Sequence, residues 1–140
     1  MALTIKPVQV WVAEIDDAAG GLAKVLEPLA EAGAELECVI ARRQPDRAGK
    51  AVVFLAPVKG KKVEEGARKA GVQPAENIST LRIEGNDRKG LGARIARAIA
   101  RAGVSIRGLS AVVHGKKFVA YVGFDSPADA ERAAITLKTL

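Results

Sequence analysis

The sequence predicts an α+β chain of two tandem ferredoxin-like units of order βαββαβ, residues 1–75 and 76–140, with the fourth strand of each short or absent. Three observations carry this prediction. The chain matches itself at a shift of 70 residues, each copy opens with an alternating apolar strand followed by a helical stripe, and each returns through an apolar strand. A unit of about 70 residues is marginal alone. The expected solution is side-by-side pairing of the two units into a combined antiparallel sheet with helices on one face.

The repeat is clearest between 14 and 41. At the 70-residue shift Glu14 meets Glu84, Asp17 meets Asp87, Gly20 meets Gly90 and Gly33 meets Gly103, among eight identities in 28 ungapped positions. Alanines supply the other four, so the weight rests on these charged and glycine pairs. Apolar classes follow the same register: Val25 with Ile95, Leu29 with Ile99, Leu36 with Ile106 and Val39 with Leu109. After a three-residue contraction, residues 51–56 align with 118–123.

Element by element, Val8, Val10 and Val12 alternate with Gln9 and Trp11, and Leu81 and Ile83 alternate with Thr80 and Arg82, the two-residue period of a strand. Leu22, Val25, Leu26 and Leu29 then mark one helical face, as do Ile95, Ala96 and Ile99 in the second copy. Gly33 and Gly103 stand where each helix must stop in a left-handed residue. Strands are expected over 35–43 and 104–113, and each turns back through a polar, glycine-containing link. The returning strands, 51–56 and 118–124, are apolar at nearly every position, which predicts cover on both faces. Helices cover one face in such a unit, so the other is expected to meet a second chain. A helix near 61–70 closes the first copy. Another closes the second, starting at Ser126-Pro127-Ala128-Asp129, where Ser is placed to cap and Pro suits the first turn.

Composition narrows function. One Cys, one His, one Met, one Trp and one Tyr exclude a disulfide framework, a Cys/His zinc site and a triad with a spare His. No general base pairs with a nucleophile in a recognisable pattern, so the reading is non-enzymatic, without cofactor or metal. The lone Cys38 fits a reducing cytoplasm and, on an apolar strand, reads as a buried inert thiol. No signal peptide or membrane span is expected. The net charge of +6 leaves an anionic partner open, with Arg94, Arg97, Arg101, Arg88, Lys89 and Lys117 as its residues. With 4% aromatic residues there are few rings to stack bases, so a solvated helix face is favoured over nucleic-acid binding.

The loop between each opening strand and helix resembles that of the ACT domain, a regulatory module that binds amino acids or related small ligands. The first copy reads Glu14-Ile15-Asp16-Asp17-Ala18-Ala19-Gly20-Gly21-Leu22-Ala23, and the second Glu84-Gly85-Asn86-Asp87-Arg88-Lys89-Gly90-Leu91. Each is followed by an Ala-Gly helix end and a strand. The resemblance spans nearly the whole chain and is nearest to small stand-alone proteins of two ACT units. Family loops often carry Pro before the Gly, where this chain has Ala19 and Lys89, and Gly92 replaces the apolar Leu22 at the second helix start.

Physically, a glycine turn entering a helix leaves backbone N–H groups at the positive end of the helix dipole, which suits a carboxylate. Asp17 or Asp87 beside it can accept from an ammonium. A zwitterion matches both. The candidate binding residues are therefore Asp17, Ala19, Gly20, Gly21 and Leu22 in one loop and Asn86, Asp87, Gly90 and Leu91 in the other. Equally, the aspartates can be plain helix caps, the glycines can serve close helix–sheet packing, and Asn86 can be a turn residue. The resemblance further implies a site between paired units, with the second strand of a neighbour contributing Leu36, Cys38, Leu109 and Ser110.

The functional expectation is a cytoplasmic, homodimeric, allosteric regulatory protein that binds an amino acid or similar metabolite between ACT-like units. The alternatives are a ligand-free subunit docking on an enzyme it regulates and, less favoured, a nucleic-acid-binding protein.

Overall fold

The computed structural model describes residues 2–140. Its strands form two four-stranded antiparallel sheets, each backed by two helices. One unit is Gln9–Ala75. The other is Glu76–Leu140 together with the N-terminal residues through Val8.

Within Gln9–Ala75 the order is β2 (Trp11–Asp16), α1 (Ala23–Glu31), β3 (Cys38–Arg43), β4 (Lys50–Ala56), α2 (Lys61–Lys69) and a two-residue β5 (Gln73–Pro74). The strands lie β3-β4-β2-β5. Alternation sets the faces: Trp11, Ala13, Val53 and Leu55 turn toward the helices and pack with Val25, Leu29, Val63 and Ala67. The opposite-face residues Val12, Val52 and Phe54 are half-buried.

The other unit contains β6 (Ser79–Asn86), α3 (Leu91–Arg101), β7 (Gly108–His114), β8 (Lys117–Phe124) and α4 (Pro127–Leu137). Its strand order is β1-β6-β8-β7, where β1 is Thr4–Val8. Leu81, Ile83, Phe118, Ala120, Val122 and Phe124 form one wall of the core, and Leu91, Ile95, Ala98 and Ile99 of α3 form the other with Ala130, Ala133 and Leu137 of α4. Ser126 caps α4 through its hydroxyl, which accepts from the Asp129 N–H at 3.1 Å, with Pro127 in the first turn.

Two expectations are corrected. The alternating run from Val8 to Val12 is not one strand: it breaks at Gln9 and Val10, and its halves join different sheets. Residues 2–8 thus leave the first unit and, through β1, supply the fourth strand of the second, in antiparallel register from Thr4 opposite Glu84 to Val8 opposite Thr80. β1 takes the side of β6 opposite β8, and the apolar Leu3 and Ile5 pack there against the core. Pro7 fits because β1 is an edge strand. The second correction follows from the pairing, which gives two separate sheets in place of one combined sheet.

The helical stripe of the second copy also shifts. Ala96 is exposed, and the buried face is Leu91, Ile95, Ala98 and Ile99. Leu91 supplies the apolar anchor that Gly92 lacks, one residue earlier than Leu22 in the first copy.

Candidate functional site

Both glycine turns lie where β2 and β6 pass into α1 and α3. In the Gln9–Ala75 unit Asp17 leaves β2 with its N–H donating to Gly49 O at 3.0 Å, which ties the turn to the β3–β4 hairpin. Its carboxylate is engaged by Arg43 Nε at 2.9 Å. Two more pairs neutralise the same end of the sheet, Arg47 Nη1 with Glu14 Oε2 at 2.5 Å and Lys50 Nζ with Asp16 Oδ1 at 3.0 Å. The hydrogen bond from Lys50 holds the Asp16 carboxyl below its ordinary value. Asp17 does not cap α1. The N-cap position is Leu22, whose side chain joins the core, and the helix start has no side-chain acceptor.

The turn of the other unit differs in charge. Asp87 N–H donates to Lys116 O at 2.7 Å, Gly90 takes the left-handed conformation at φ 81°, and Leu91 N–H closes on Arg88 O at 3.0 Å. No side chain caps α3. Among the described residues the Asp87 carboxylate has no ion pair, and the N–H groups of Gly92 and Ala93 have no acceptor. An open carboxylate therefore stands close in sequence to open helix donors in this unit, whereas Arg43 occupies the equivalent carboxylate in the other.

The remaining sequence candidates divide by position. Ala19 and Gly20 are exposed in the first turn, and Asn86 is exposed at the end of β6. Gly21 is buried, and Leu91 is 1% exposed within the core, so that side chain serves packing. Leu36 packs on the core of its unit. Cys38 begins β3, and partial burial pushes its thiol pKa up. Leu109 and Ser110 begin β7, opposite Val122 and Tyr121, which in turn oppose Leu81 and Arg82. Asn86 lies four residues beyond Arg82, about 14 Å along the strand. Within one unit, then, the loop candidates and the second-strand candidates sit at opposite ends of the sheet.

One polar group escapes sequence reasoning. On the sheet face away from the helices, Arg82 Nη1 donates to Glu84 Oε2, its Nε donates to Tyr121 Oη at 3.2 Å, and its guanidinium lies 6.0 Å from the Tyr121 ring centroid. The alternation of Arg82 and Glu84 with Leu81 and Ile83 is its only signal. The hydrogen bond from Arg82 holds the Glu84 carboxyl below the usual range. A lowered carboxylate contributes stability that is present above the ordinary glutamate value of about 4.3 and is lost as pH falls through the lower folded value. In urea titrations between pH 6 and 3, Glu84→Gln should show a shallower acid loss of stability than the parent. Parallel curves would show that this pair adds nothing.

No helix of the described residues is long and apolar enough to cross a membrane. Residues 79–139 match the family model described as the ACT domain. No curated protein matches the chain. Among solved structures, a protein from Bacteroides thetaiotaomicron is similar over 96% of this chain and 89% of its own, at 14% identity and a TM-score of 0.78. The regulatory subunit of aspartate kinase from Thermus thermophilus, in its ligand-free form, is 19% identical over 99% of this chain and 97% of its own, with a TM-score of 0.66. Aspartokinase III of E. coli, solved with aspartate and ADP, covers 97% of this chain with 33% of its own length, at 14% identity and a TM-score of 0.59. Such identities establish a shared fold.

Proposed function

Because residues 79–139 match the ACT domain, we propose that this protein is a non-enzymatic regulator that senses an amino acid at the turn between β6 and α3. The open Asp87 carboxylate beside the unpartnered N–H groups of α3 carries the reading, since together they offer one site for an ammonium and one for a carboxylate. The regulatory neighbours of the same fold support it. Asp17, held by Arg43, is the weaker of the two turns.

A second copy would complete the site. Leu109, Val112 and Val113 on β7 are 44%, 63% and 46% exposed, and β7 is an edge strand with its backbone open to pairing. Antiparallel pairing of two β7 edges about a two-fold axis would bring the start of one strand, with Leu109 and Ser110, toward the other copy's hairpin end, where Asp87 meets Lys116. The signal would then pass to a regulated enzyme through the dimer.

Calorimetry and thermal shift with the common amino acids test this. At least one should raise the melting temperature, and Asp87→Asn should weaken it tenfold or more while the unliganded melting temperature stays within about 2 °C. Asp17→Asn should have the smaller effect. A folded protein that responds to none of the amino acids, or an Asp87→Asn variant with full affinity, would overturn the reading.

A further inference from the structure

The net charge of the chain belongs to one unit. Gln9–Ala75 carries ten Lys and Arg against ten Asp and Glu, whereas the ACT-containing unit carries twelve against six. At two positions the repeat has reversed sign, Glu27 and Glu31 on α1 corresponding to Arg97 and Arg101 on α3, and the neutral Ala18 and Ala19 correspond to Arg88 and Lys89, while Lys24 and Arg94 are both basic. Arg94, Arg97 and Arg101 form an exposed row about 10 Å long. At the α3 start this row meets Arg88 and Lys89 in the turn, and Lys116 and Lys117 in the hairpin that the turn is bonded to. Among the described residues none of these seven cations has an ion-pair partner, while Glu84, Asp125 and Asp129 are all occupied by other arginines.

We propose that this surface binds the phosphate backbone of a double-stranded nucleic acid without reading its sequence. Between the arginines α3 exposes Gly92, Ala93, Ala96 and Ala100, which allow a backbone to approach closely and offer no apolar anchor. Protein interfaces draw their energy from buried aromatic and apolar anchors, and exposed ion pairs alone contribute little. A phosphate backbone needs neither, because binding is driven by release of its condensed counterions. Arginine adds bidentate contacts to phosphate oxygens. The scarcity of exposed rings removes the stacking that single strands require, which selects the duplex.

The test is fluorescence anisotropy of the full chain with a 25-base-pair DNA duplex of arbitrary sequence. With about five phosphates neutralised, the log–log salt slope should be about −4.5, a loss of roughly 500-fold between 50 and 200 mM salt. The triple variant Arg94→Gln, Arg97→Gln, Arg101→Gln should reduce the slope to about −2 and weaken binding at low salt by tenfold or more, without altering any amino-acid thermal shift. Lys61→Gln with Lys62→Gln, which removes two exposed cations of α2, should leave affinity within twofold. The proposal is overturned by absence of duplex binding at 50 mM salt, by equal weakening in the α2 variant, by tighter binding of the single strand, or by a polyglutamate peptide that binds more tightly than the duplex.

Discussion

Deleting residues 1–8 is expected to destabilise the unit that contains Glu76–Leu140 by about 2–4 kcal/mol, and grafting the same segment after Leu140 through a short glycine-serine linker is expected to restore most of the loss. The strand β1 covers the open edge of β6, and Leu3 and Ile5 pack against the core of that unit. Half-burying two such side chains contributes about 1 kcal/mol each. The ladder from Thr4 to Val8 adds about 0.5–1.5 kcal/mol net per hydrogen bond, offset in part by the entropy of ordering the strand. Without β1, the outward backbone groups of β6 become an unprotected edge. The graft works in this fold because the fourth strand of a βαββαβ unit follows its second helix, as β5 follows α2. Hydrogen exchange locates the effect. Amides of β6 should lose protection in the deletion and regain it in the graft. Unchanged exchange in the deletion would mean that β1 contributes no stability, and a graft that fails while the deletion is destabilised would mean that its connection from Gln9 matters as much as its contacts.

Most of this fold is legible in the sequence because periodicity reports what each residue buries. The repeat places Val53 and Leu55 opposite the positions of Ala120 and Val122, and these pairs are buried in their respective cores. The run from Val8 to Val12 misleads for the same reason: alternation persists through Gln9 and says nothing about which sheet a strand will join. Sheet membership depends on pairing with β6, whose partner residues lie 72 to 80 positions away, a tertiary fact with no local signature. The site is legible as composition but not as state. Both turns carry the same Asp and Gly, yet only the fold shows that Arg43, 26 residues downstream, closes on Asp17 while Asp87 stays open. Nor can local spacing show that Leu109 and Ser110 begin their strand at the far end from the turn.

The adjacent glycines of the first turn should respond to alanine for different reasons and by different amounts. Gly20 has φ 84° and open space where a Cβ would stand, so Gly20→Ala carries only the left-handed backbone penalty, about 1 kcal/mol. Gly21 is the reverse. Its backbone is not left-handed, but a Cβ there would stand 2.2 Å from Asp16 O and 3.2 Å from Ala18 O, both main-chain atoms that no rotamer change can move. Relief requires shifting the end of β2 or the start of α1, and with them the Gly21 N–H bond to Ala18 O. Gly21→Ala should therefore cost about 3 kcal/mol or more, at the upper end of overpacking penalties. It should also break the Asp17–Arg43 pair, which depends on the same turn. Denaturant unfolding of the two variants decides the matter. If they are equally destabilised, backbone conformation governs both positions. If Gly21→Ala is much the worse, the second glycine is required by the approach of the turn to its own strand, and its role as a ligand contact becomes unnecessary to explain its presence.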